Sequence, residues 1–208
     1  MDTVLSPTYI PPNQTIECLA GINDHIFILH TILRETECDA IIDLAENTGF
    51  KIAGIYTDAD GETIIDTNKR RSMRCILDSA EFSKLLWKRI QHGSIHRFPN
   101  GLVAKRLNEH LRILKYTEGD SFAIHKDGNY LTPDMSEISQ YTVLVYLNDD
   151  YEGGFTTYYN TAEEAGIPII PKKGSVVIQH QKCLHNVPSL ISGIKYALRT
   201  EIMYGSEG

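Results

Sequence analysis

Residues Leu111–Gly128 have the sequence LRILKYTEGDSFAIHKDG and contain the most informative motif of the chain, His125-Lys126-Asp127. Residues i and i+2 of a β-strand point to the same side, so the imidazole of His125 and the carboxylate of Asp127 can bind one metal ion. With a second, distant histidine they would form the two-histidine, one-carboxylate triad that holds non-haem Fe(II) and leaves positions open for chemistry. A three-residue motif occurs by chance in many chains, so the remaining sequence has to support this prediction.

The second histidine is expected far along the chain, where His180 and His185 are the candidates. We favour His185, because Lys195 follows it ten residues later on the next expected strand and would lie deeper in the same barrel. There its ammonium group can pair with a carboxylate that reaches away from the metal. His180 is expected to be structural, and the alternatives are a metal ligand or a hydrogen-bond partner of a ligand.

Length and composition describe an ordinary globular protein. The chain has 208 residues, of which 42% are hydrophobic and 23% charged, and we predict a single domain over residues 1–208. Its net charge of -7 argues against a nucleic-acid partner. The basic run Asn68–Arg74 is predicted to be a solvated strand or loop, because charge runs usually face solvent.

The cysteines and the apolar segments predict a cytoplasmic protein. No CxxC motif is present, and scattered cysteines favour reduced thiols over a zinc site or a disulfide framework. No signal peptide is visible, and the longest apolar stretch, Ile26–Leu33, is too short to span a bilayer, so no membrane association is expected. The cysteines are Cys18, Cys38, Cys75 and Cys183.

The N-terminal half is predicted to contain two helices. Residues 1–20 are interpreted as an arm or edge segment, and Ile22–Leu33 as a strand. The first helix is expected to begin at an N-cap, Thr36, with Asp39 in the capping-box position, and to end near Gly49. Short strands and a loop are expected over residues 50–77, and the second helix from Asp78.

The C-terminal half is predicted to consist of strands separated by turns, with Gly153-Gly154 among the turn signals. Two helices followed by regularly spaced strands indicate an α+β or mainly β fold, a double-stranded β-helix (jelly roll) with supporting N-terminal helices. Residues 1–106 would form the arm, strands and helices, and residues 107–204 the jelly-roll core. The predicted strands are Leu111–Thr117, Ser121–Asp127, Gln140–Asn148, Phe155–Asn160, Ile167–Ile170, Ser175–Gln179, His185–Pro188 and Lys195–Met203.

Four segments in this half carry a family resemblance: LRILKYTEGDSFAIHKDG, YTVLVYLNDDYEGGFTTYY, PKKGSVVIQH and LHNVPSLISGIKYALRTEIMY. Together they resemble the Fe(II)/2-oxoglutarate-dependent dioxygenases, in particular the prolyl 4-hydroxylase-like branch. They cover most of residues 107–204 in the order that the family has them. The N-terminal half resembles the family's supporting helices only loosely.

The resemblance implies the roles of the site residues. His125, Asp127 and His185 match the iron ligands, and Lys195 matches the basic residue that binds the far carboxylate of 2-oxoglutarate. Three further residues match positions around the cosubstrate, although strand tyrosines are often plain packing residues. These three are Tyr116, Tyr146 and Thr156.

The resemblance also implies the reaction: hydroxylation of a C–H bond, with Fe(II), 2-oxoglutarate and O2 required and with ascorbate as a further candidate cofactor. Related halogenases lack the carboxylate ligand, so Asp127 favours hydroxylation. The substrate is expected to be a polypeptide, with Asn129–Ser139 as one wall of a groove, or a free amino acid or other small metabolite. The alternatives are a nucleic-acid demethylase, which the charge disfavours, and a catalytically silent jelly-roll binding module.

Strand parity adds two candidate substrate residues. If Lys195 points into the barrel, Ala197, Arg199 and Glu201 share its face. Charged side chains on an inward face need partners. We therefore expect Arg199 and Glu201 either to neutralise each other or to meet a polar substrate group beside the iron.

Overall fold

The computed structural model describes residues 1, 3–12, 16–22, 26–56, 63–91 and 101–207. Within these ranges the chain forms two helices, α1 (Glu35–Thr48) and α2 (Ala80–Ile90), and eighteen strands. The strands before α2 are β1 (Ile16–Cys18), β2 (Ile26–Leu29), β3 (Lys51–Ile52), β4 (Ile55–Tyr56), β5 (Thr63–Ile64), β6 (Arg70–Arg71) and β7 (Met73–Asp78). The later strands are β8 (Val103–Leu107), β9 (His110–Tyr116), β10 (Ser121–His125), β11 (Glu137–Tyr146), β12 (Glu152–Gly153), β13 (Thr157–Tyr159), β14 (Ile167–Pro168), β15 (Val176–His180), β16 (Leu184–Val187), β17 (Leu190–Ser192) and β18 (Lys195–Gly205).

Most strands belong to two antiparallel sheets. The larger has the order β1-β2-β15-β11-β18-β9-β7-β3, with β8 paired to the C-terminal part of β18, and the smaller has the order β14-β13-β16-β10-β6. Leu144 and Tyr146 of the larger sheet and Tyr158 of the smaller sheet share one buried cluster, so the sheets pack face to face. Strands distant in sequence thus lie side by side in a double sheet, which confirms the predicted mainly β jelly roll.

The outer face of the larger sheet is covered by the helices. Alternate residues of β11 and β18, among them Val143, Val145 and Leu198, pack with Ile41 of α1 and Phe82 of α2 in the largest buried cluster. The residues between them in sequence point to the inner side, toward the smaller sheet. The helices therefore support the sheet from behind and leave its inner face for the site. No helix in the described part of the chain is long and apolar enough to cross a membrane.

Helix α1 begins one residue after Arg34, so the predicted N-cap Thr36, with Asp39 as its capping-box partner, is wrong. The Glu37 carboxylate accepts the backbone N–H of Arg34 at 3.0 Å and also binds the buried Arg89 of α2 at 2.8 Å. A long-range ion pair fixes the position of Glu37 and with it the first turn of the helix, and no local pattern could reveal that pair.

Helix α2 begins at Ala80 instead of the predicted Asp78. The hydroxyl of Ser79 accepts the backbone N–H of Phe82 at 3.0 Å, so Ser79 is the N-cap. Glu81 lies in the first turn, where a negative charge favours the helix dipole.

The predicted strand Ile22–Leu33 is shorter in the structure, where β2 spans Ile26–Leu29; residues 23–25 lie outside the described residues. Thr31 has a positive φ of 58° and ends the extended segment. The backbone N–H groups of Ile32 and Leu33 then both donate to the carbonyl oxygen of Gly174, at 2.9 and 3.1 Å. This loop is therefore held by backbone contacts with a turn distant in sequence. Between β3 and β7 the predicted short strands are present, apart from residues 57–62, which also lie outside the described residues.

Candidate active site

Two strands of the smaller sheet bring the histidines together. His125 ends β10, and its partner across the β10–β16 ladder is His185. Directly opposed residues have their Cβ atoms roughly 5 Å apart, and the ring centroids here are 4.2 Å apart. Asp127 follows β10 by two residues and is held by a hydrogen bond from its backbone N–H to the carbonyl of Gln181, at 2.9 Å.

The three side chains form one compact cluster. One ligand atom from each of His125, Asp127 and His185 lies within 4.8 Å of the others. The Nε2 atom of His125 is 3.9 Å from Oδ1 of Asp127, and the Nε2 atom of His185 is 4.0 Å from Oδ2. The other candidate, His180, is not part of the cluster in the described chain, and its ring packs edge-on against Tyr141 at 5.4 Å.

Both histidines present Nε2 to the centre of the cluster. Nδ1 of His125 lies 2.8 Å from the carbonyl oxygen of Ala123, and Nδ1 of His185 lies 3.0 Å from that of Cys183. A ring N–H that donates to a backbone carbonyl leaves the other nitrogen with its lone pair free for a metal. Burial, and then the neighbouring His185, lower the pKa of His125 to about 3, so this ring is neutral at physiological pH.

The carboxylate of Asp127 is oriented by polar neighbours. Thr142 donates its hydroxyl hydrogen to Oδ2 at 2.6 Å, and the Gln179 amide nitrogen lies 3.2 Å from the same oxygen. Arg199 forms an ion pair with Oδ1 at 3.2 Å. Burial by itself raises the pKa of Asp127, but the charge of Arg199, the neighbouring histidine rings and the hydrogen bond from Thr142 outweigh burial and hold the pKa well below its usual range. The cluster therefore offers one ionised carboxylate and two ring nitrogens.

Lys195 lies deeper in the same cavity, almost completely buried at 1% exposure. Its ammonium group donates to the carbonyl of Gly154 at 2.7 Å and to the hydroxyl of Thr156 at 3.3 Å, and it lies 5.5 and 5.7 Å from the ring centroids of Tyr116 and Tyr146. Burial lowers the pKa of Lys195 to about 7. Within the described residues no carboxylate forms an ion pair with it, and the buried Tyr146 hydroxyl has no hydrogen-bond partner at good geometry.

Arg199 and Glu201 also line this cavity, which has a volume of about 870 Å³. Their side chains bind each other at 2.7 Å. Glu201 additionally accepts from Arg112 at 2.8 Å and from the Asn108 amide at 3.0 Å, while Arg199 extends to Asp127. The structure therefore links the two predicted substrate residues to the His–Asp–His cluster through Asp127.

These residues fit an iron ion and 2-oxoglutarate. Two imidazole nitrogens and one ionised carboxylate are a typical donor set for non-haem Fe(II). A buried ammonium group and an unsatisfied tyrosine hydroxyl, at the inner end of the same cavity, are suited to a carboxylate.

Sequence reasoning missed several residues around the cluster. Thr142 and Gln179 orient Asp127, and the ring of Phe122 stacks on that of His125 at a centroid distance of 3.6 Å. Strand parity could have identified Thr142, since it shares a face with Tyr146. No comparable signal points to Gln179, because β15 is buried on both faces.

Comparison with protein families identifies the class. Residues 111–200 match the model of the 2OG-Fe(II) oxygenase superfamily. This region contains the whole His–Asp–His cluster and Lys195. The match over these residues, together with the geometry of the site, indicates an oxidoreductase of the dioxygenase class, and the superfamily implies Fe(II), 2-oxoglutarate and O2.

Solved structures place the fold among prolyl hydroxylases. A viral collagen prolyl hydroxylase from Paramecium bursaria Chlorella virus-1 is 19% identical, over 87% of this chain and 97% of that one, with a TM-score of 0.57. A Pseudomonas putida prolyl-4-hydroxylase is 14% identical over 88% and 94%, with a TM-score of 0.59. A Trichoplax adhaerens prolyl hydroxylase, solved with a hypoxia inducible factor peptide fragment, is 17% identical over 86% and 84%, with a TM-score of 0.63. No curated protein matches the chain in sequence.

Proposed function

We propose that the protein hydroxylates a C–H bond of its substrate while converting 2-oxoglutarate and O2 to succinate and CO2. One oxygen atom of O2 enters the substrate hydroxyl group and the other enters succinate, so the reaction needs no further oxidant. The observation that carries the proposal is one cavity with a His–Asp–His cluster and a buried lysine that lacks a carboxylate partner among the described residues.

Each residue has a proposed task. His125, Asp127 and His185 hold the iron, which, when bound with 2-oxoglutarate, supplies the oxidising chemistry. Lys195 binds the distal carboxylate of 2-oxoglutarate. The cosubstrate positions are completed by Tyr116, Tyr146 and Thr156, all buried around Lys195.

The protein keeps these groups in place before any ligand binds. Backbone carbonyls fix both imidazole rings, and Thr142 and Gln179 fix the carboxylate of Asp127. Such fixed surroundings reduce the reorganisation that metal binding requires. The presence of Asp127 favours hydroxylation over halogenation.

The substrate is proposed to be a polypeptide or a small molecule. A polypeptide is supported by the Trichoplax relative, which was solved with a peptide fragment. The segment 129–139 supports the same alternative, because Tyr130 and Leu131 line the cavity mouth and are exposed. A free amino acid or metabolite is the second candidate, since charged groups stand close to the metal cluster. Ascorbate as a cofactor, a cytoplasmic location and a single domain over residues 1–208 stay predictions.

Arg199 and Glu201 are proposed to help choose the substrate. The substitutions Arg199→Gln and Glu201→Gln each replace a charged side chain by a neutral polar one. Either substitution is expected to uncouple the reaction, so that succinate still forms while substrate oxygenation falls severalfold. The physical reason is loss of charge at the cavity wall beside the metal. Parallel measurement of succinate and of hydroxylated product tests this, and equal losses of both products would contradict it.

The decisive experiment for the proposed function uses the purified protein with Fe(II), 2-oxoglutarate and pooled peptides and metabolites. Mass spectrometry should detect succinate and a substrate that gains one oxygen atom. The control is Asp127→Ala, which should produce neither. A binding module would give no succinate with the intact protein, and that outcome would refute the proposed reaction.

A further inference from the structure

Four arginines line the cavity that contains the His–Asp–His cluster. Arg74, Arg112 and Arg199 lie on the neighbouring strands β7, β9 and β18, and all three line the cavity. Arg112 of β9 lies directly opposite Arg199 of β18. On its other side Arg112 pairs with Ile76 of β7, so Arg74, two residues before Ile76, is the diagonal neighbour of Arg112. Like charges on adjacent strands are unfavourable unless negative charge compensates them.

In the described part of the chain, two carboxylates bind Arg112 and Arg199 of this wall. Glu201 binds both Arg112 and Arg199, at 2.8 and 2.7 Å. Asp127 binds Arg199, but its carboxylate is also the proposed metal ligand. With a metal ion bound at Asp127, Arg112 and Arg199 would share Glu201 as their one carboxylate partner among the described residues, so this pair keeps a net positive charge.

A fourth arginine, Arg70, faces the cavity from the smaller sheet. Its Nε atom donates to the hydroxyl of Ser72 at 2.8 Å, and its guanidinium group lies 4.6 Å from the ring centroid of Phe122. The same ring stacks on His125, so Arg70 lies one ring away from a proposed metal ligand. Among the described residues Arg70 forms no ion pair with a carboxylate.

The electrostatic environment of Arg70 agrees with this geometry. Burial lowers the pKa of its guanidinium group, and the nearby charge of Arg199 lowers the pKa further, while Tyr116 and Asp127 raise it. A partly buried cation that is opposed by a second cation is stabilised by an incoming anion.

We propose that the substrate carries a carboxylate and that Arg70 binds it, with Arg74 and Arg112 supplying further positive charge across the cavity. This inference rests on the proposed function and names its substrate class. The carboxylate of 2-oxoglutarate is a different ligand, since Lys195 and the metal cluster already account for its two ends. A nucleic acid is disfavoured because the net charge of -7 repels a polyanion, whereas a single carboxylate can enter a locally positive cavity.

The two-pronged guanidinium group of Arg70 would make this subsite selective for carboxylates. A guanidinium group binds a carboxylate through two parallel hydrogen bonds, and such charge-assisted bonds are about twice as strong as neutral ones. A ligand in which an amide replaces the carboxylate lacks the negative charge and one of the two acceptor oxygens. We expect the acid to bind at least about tenfold more tightly than its amide.

The test uses protein loaded with Mn(II) and 2-oxoglutarate without O2, so that ligands bind without turnover. One probe pool contains N-acetyl amino acids and their amides; the other contains end-blocked pentapeptides with Asp or Glu and their Asn or Gln counterparts. Mass spectrometry of retained ligands should show at least about tenfold enrichment of acids over amides. Enrichment in the first pool identifies a free acid as the source of the carboxylate, and enrichment in the second identifies an acidic peptide.

Arg70→Gln should remove this enrichment, and Arg70→Lys, which keeps the charge but not the two-pronged group, should reduce it. The matched control is Arg71→Gln, which removes the same charge one residue away: Arg71 is absent from the cavity lining, is half-exposed and lies 3.7 Å from Asp120. Thermal unfolding of each variant separates lost binding from lost folding.

Three outcomes would overturn the proposal. They are equal retention of acids and amides, no retention of either pool at millimolar concentration, and a loss of 2-oxoglutarate affinity in Arg70→Gln as large as the loss of acid affinity. Failure of the intact protein to bind Mn(II) and 2-oxoglutarate would instead refute the proposed function, and the substrate class would fall with it.

Discussion

The buried Lys195 makes the binding of 2-oxoglutarate depend on pH. Without a carboxylate partner its pKa is lowered by burial from 10.5 to about 7. A bound carboxylate favours the charged ammonium group and raises this pKa again. The complex therefore binds more protons than the free protein at pH values above 7, so affinity is full below pH 7 and decreases as the pH rises through 7.

The expected magnitude follows from that pKa. At pH 8 about a tenth of the free protein carries the charge, and each further pH unit costs about tenfold in affinity. Between pH 6.5 and pH 8.5 the dissociation constant of 2-oxoglutarate should rise about 25-fold, which equals about 1.9 kcal/mol. Lys195→Ala should lose at least about a hundredfold in affinity at pH 6.5, because removing one member of a buried pair costs roughly 3–5 kcal/mol.

Isothermal titration calorimetry on Mn(II)-loaded protein without O2 measures this effect. Titrations at pH 8 in two buffers of different ionisation enthalpy should show uptake of nearly one proton per 2-oxoglutarate bound. Lys195→Arg is the matched control, because a guanidinium group stays charged throughout this range and its affinity should vary little with pH. A flat affinity profile of the unmodified protein, without proton uptake, would show that Lys195 is charged before the ligand binds and that the reasoning is wrong.

Three further substitutions test the site and the fold. Asp127→Ala should abolish Fe(II)-dependent succinate formation while circular dichroism stays unchanged, because one charged ligand of three is lost; retained turnover would refute the metal assignment. Glu37→Ala should lower the free energy of unfolding by roughly 3–5 kcal/mol in urea titrations, since it leaves Arg89 buried without its carboxylate. Gly174→Ala should cost at least about 2 kcal/mol in the same assay, because φ is +79° and a Cβ atom would overlap the carbonyl oxygen of Leu33; an unchanged midpoint would contradict that close approach.

The sheet could be predicted from sequence because its pattern is local. Strands such as Ser175–Gln179 and Lys195–Met203 are bounded by glycine turns and rich in β-branched or aromatic residues, and both lie within one or two residues of the observed β15 and β18. Parity along β18 then predicts which side chains share the face of Lys195, and Arg199 and Glu201 do line the same cavity. Periodicity of two is a property of the backbone, so it survives any tertiary arrangement.

The features that escaped prediction depend on contacts between distant residues. The first turn of α1 is fixed by the buried pair of Glu37 and Arg89, 52 residues apart. The basic run Asn68–Arg74 was expected to face solvent, yet Arg70 and Arg74 line the cavity because β6 pairs with β10 and β7 pairs with β9. A charge run carries no information about which strand it will pair with, so sequence alone could not place these arginines near the metal cluster.

The position of β18 in the larger sheet affects how the protein folds during its synthesis. It is the last strand of the described chain, yet it lies between β11 and β9 and pairs with both. As the chain leaves the ribosome, the edges of β11 and β9 that later pair with β18 remain unpaired until residues 195–205 emerge. Many of the pairings are also long-range in sequence, which slows folding. A nascent chain stalled before Lys195 would therefore expose two long, apolar strand edges, and at that stage it would be a natural client for chaperones that shield unpaired strands.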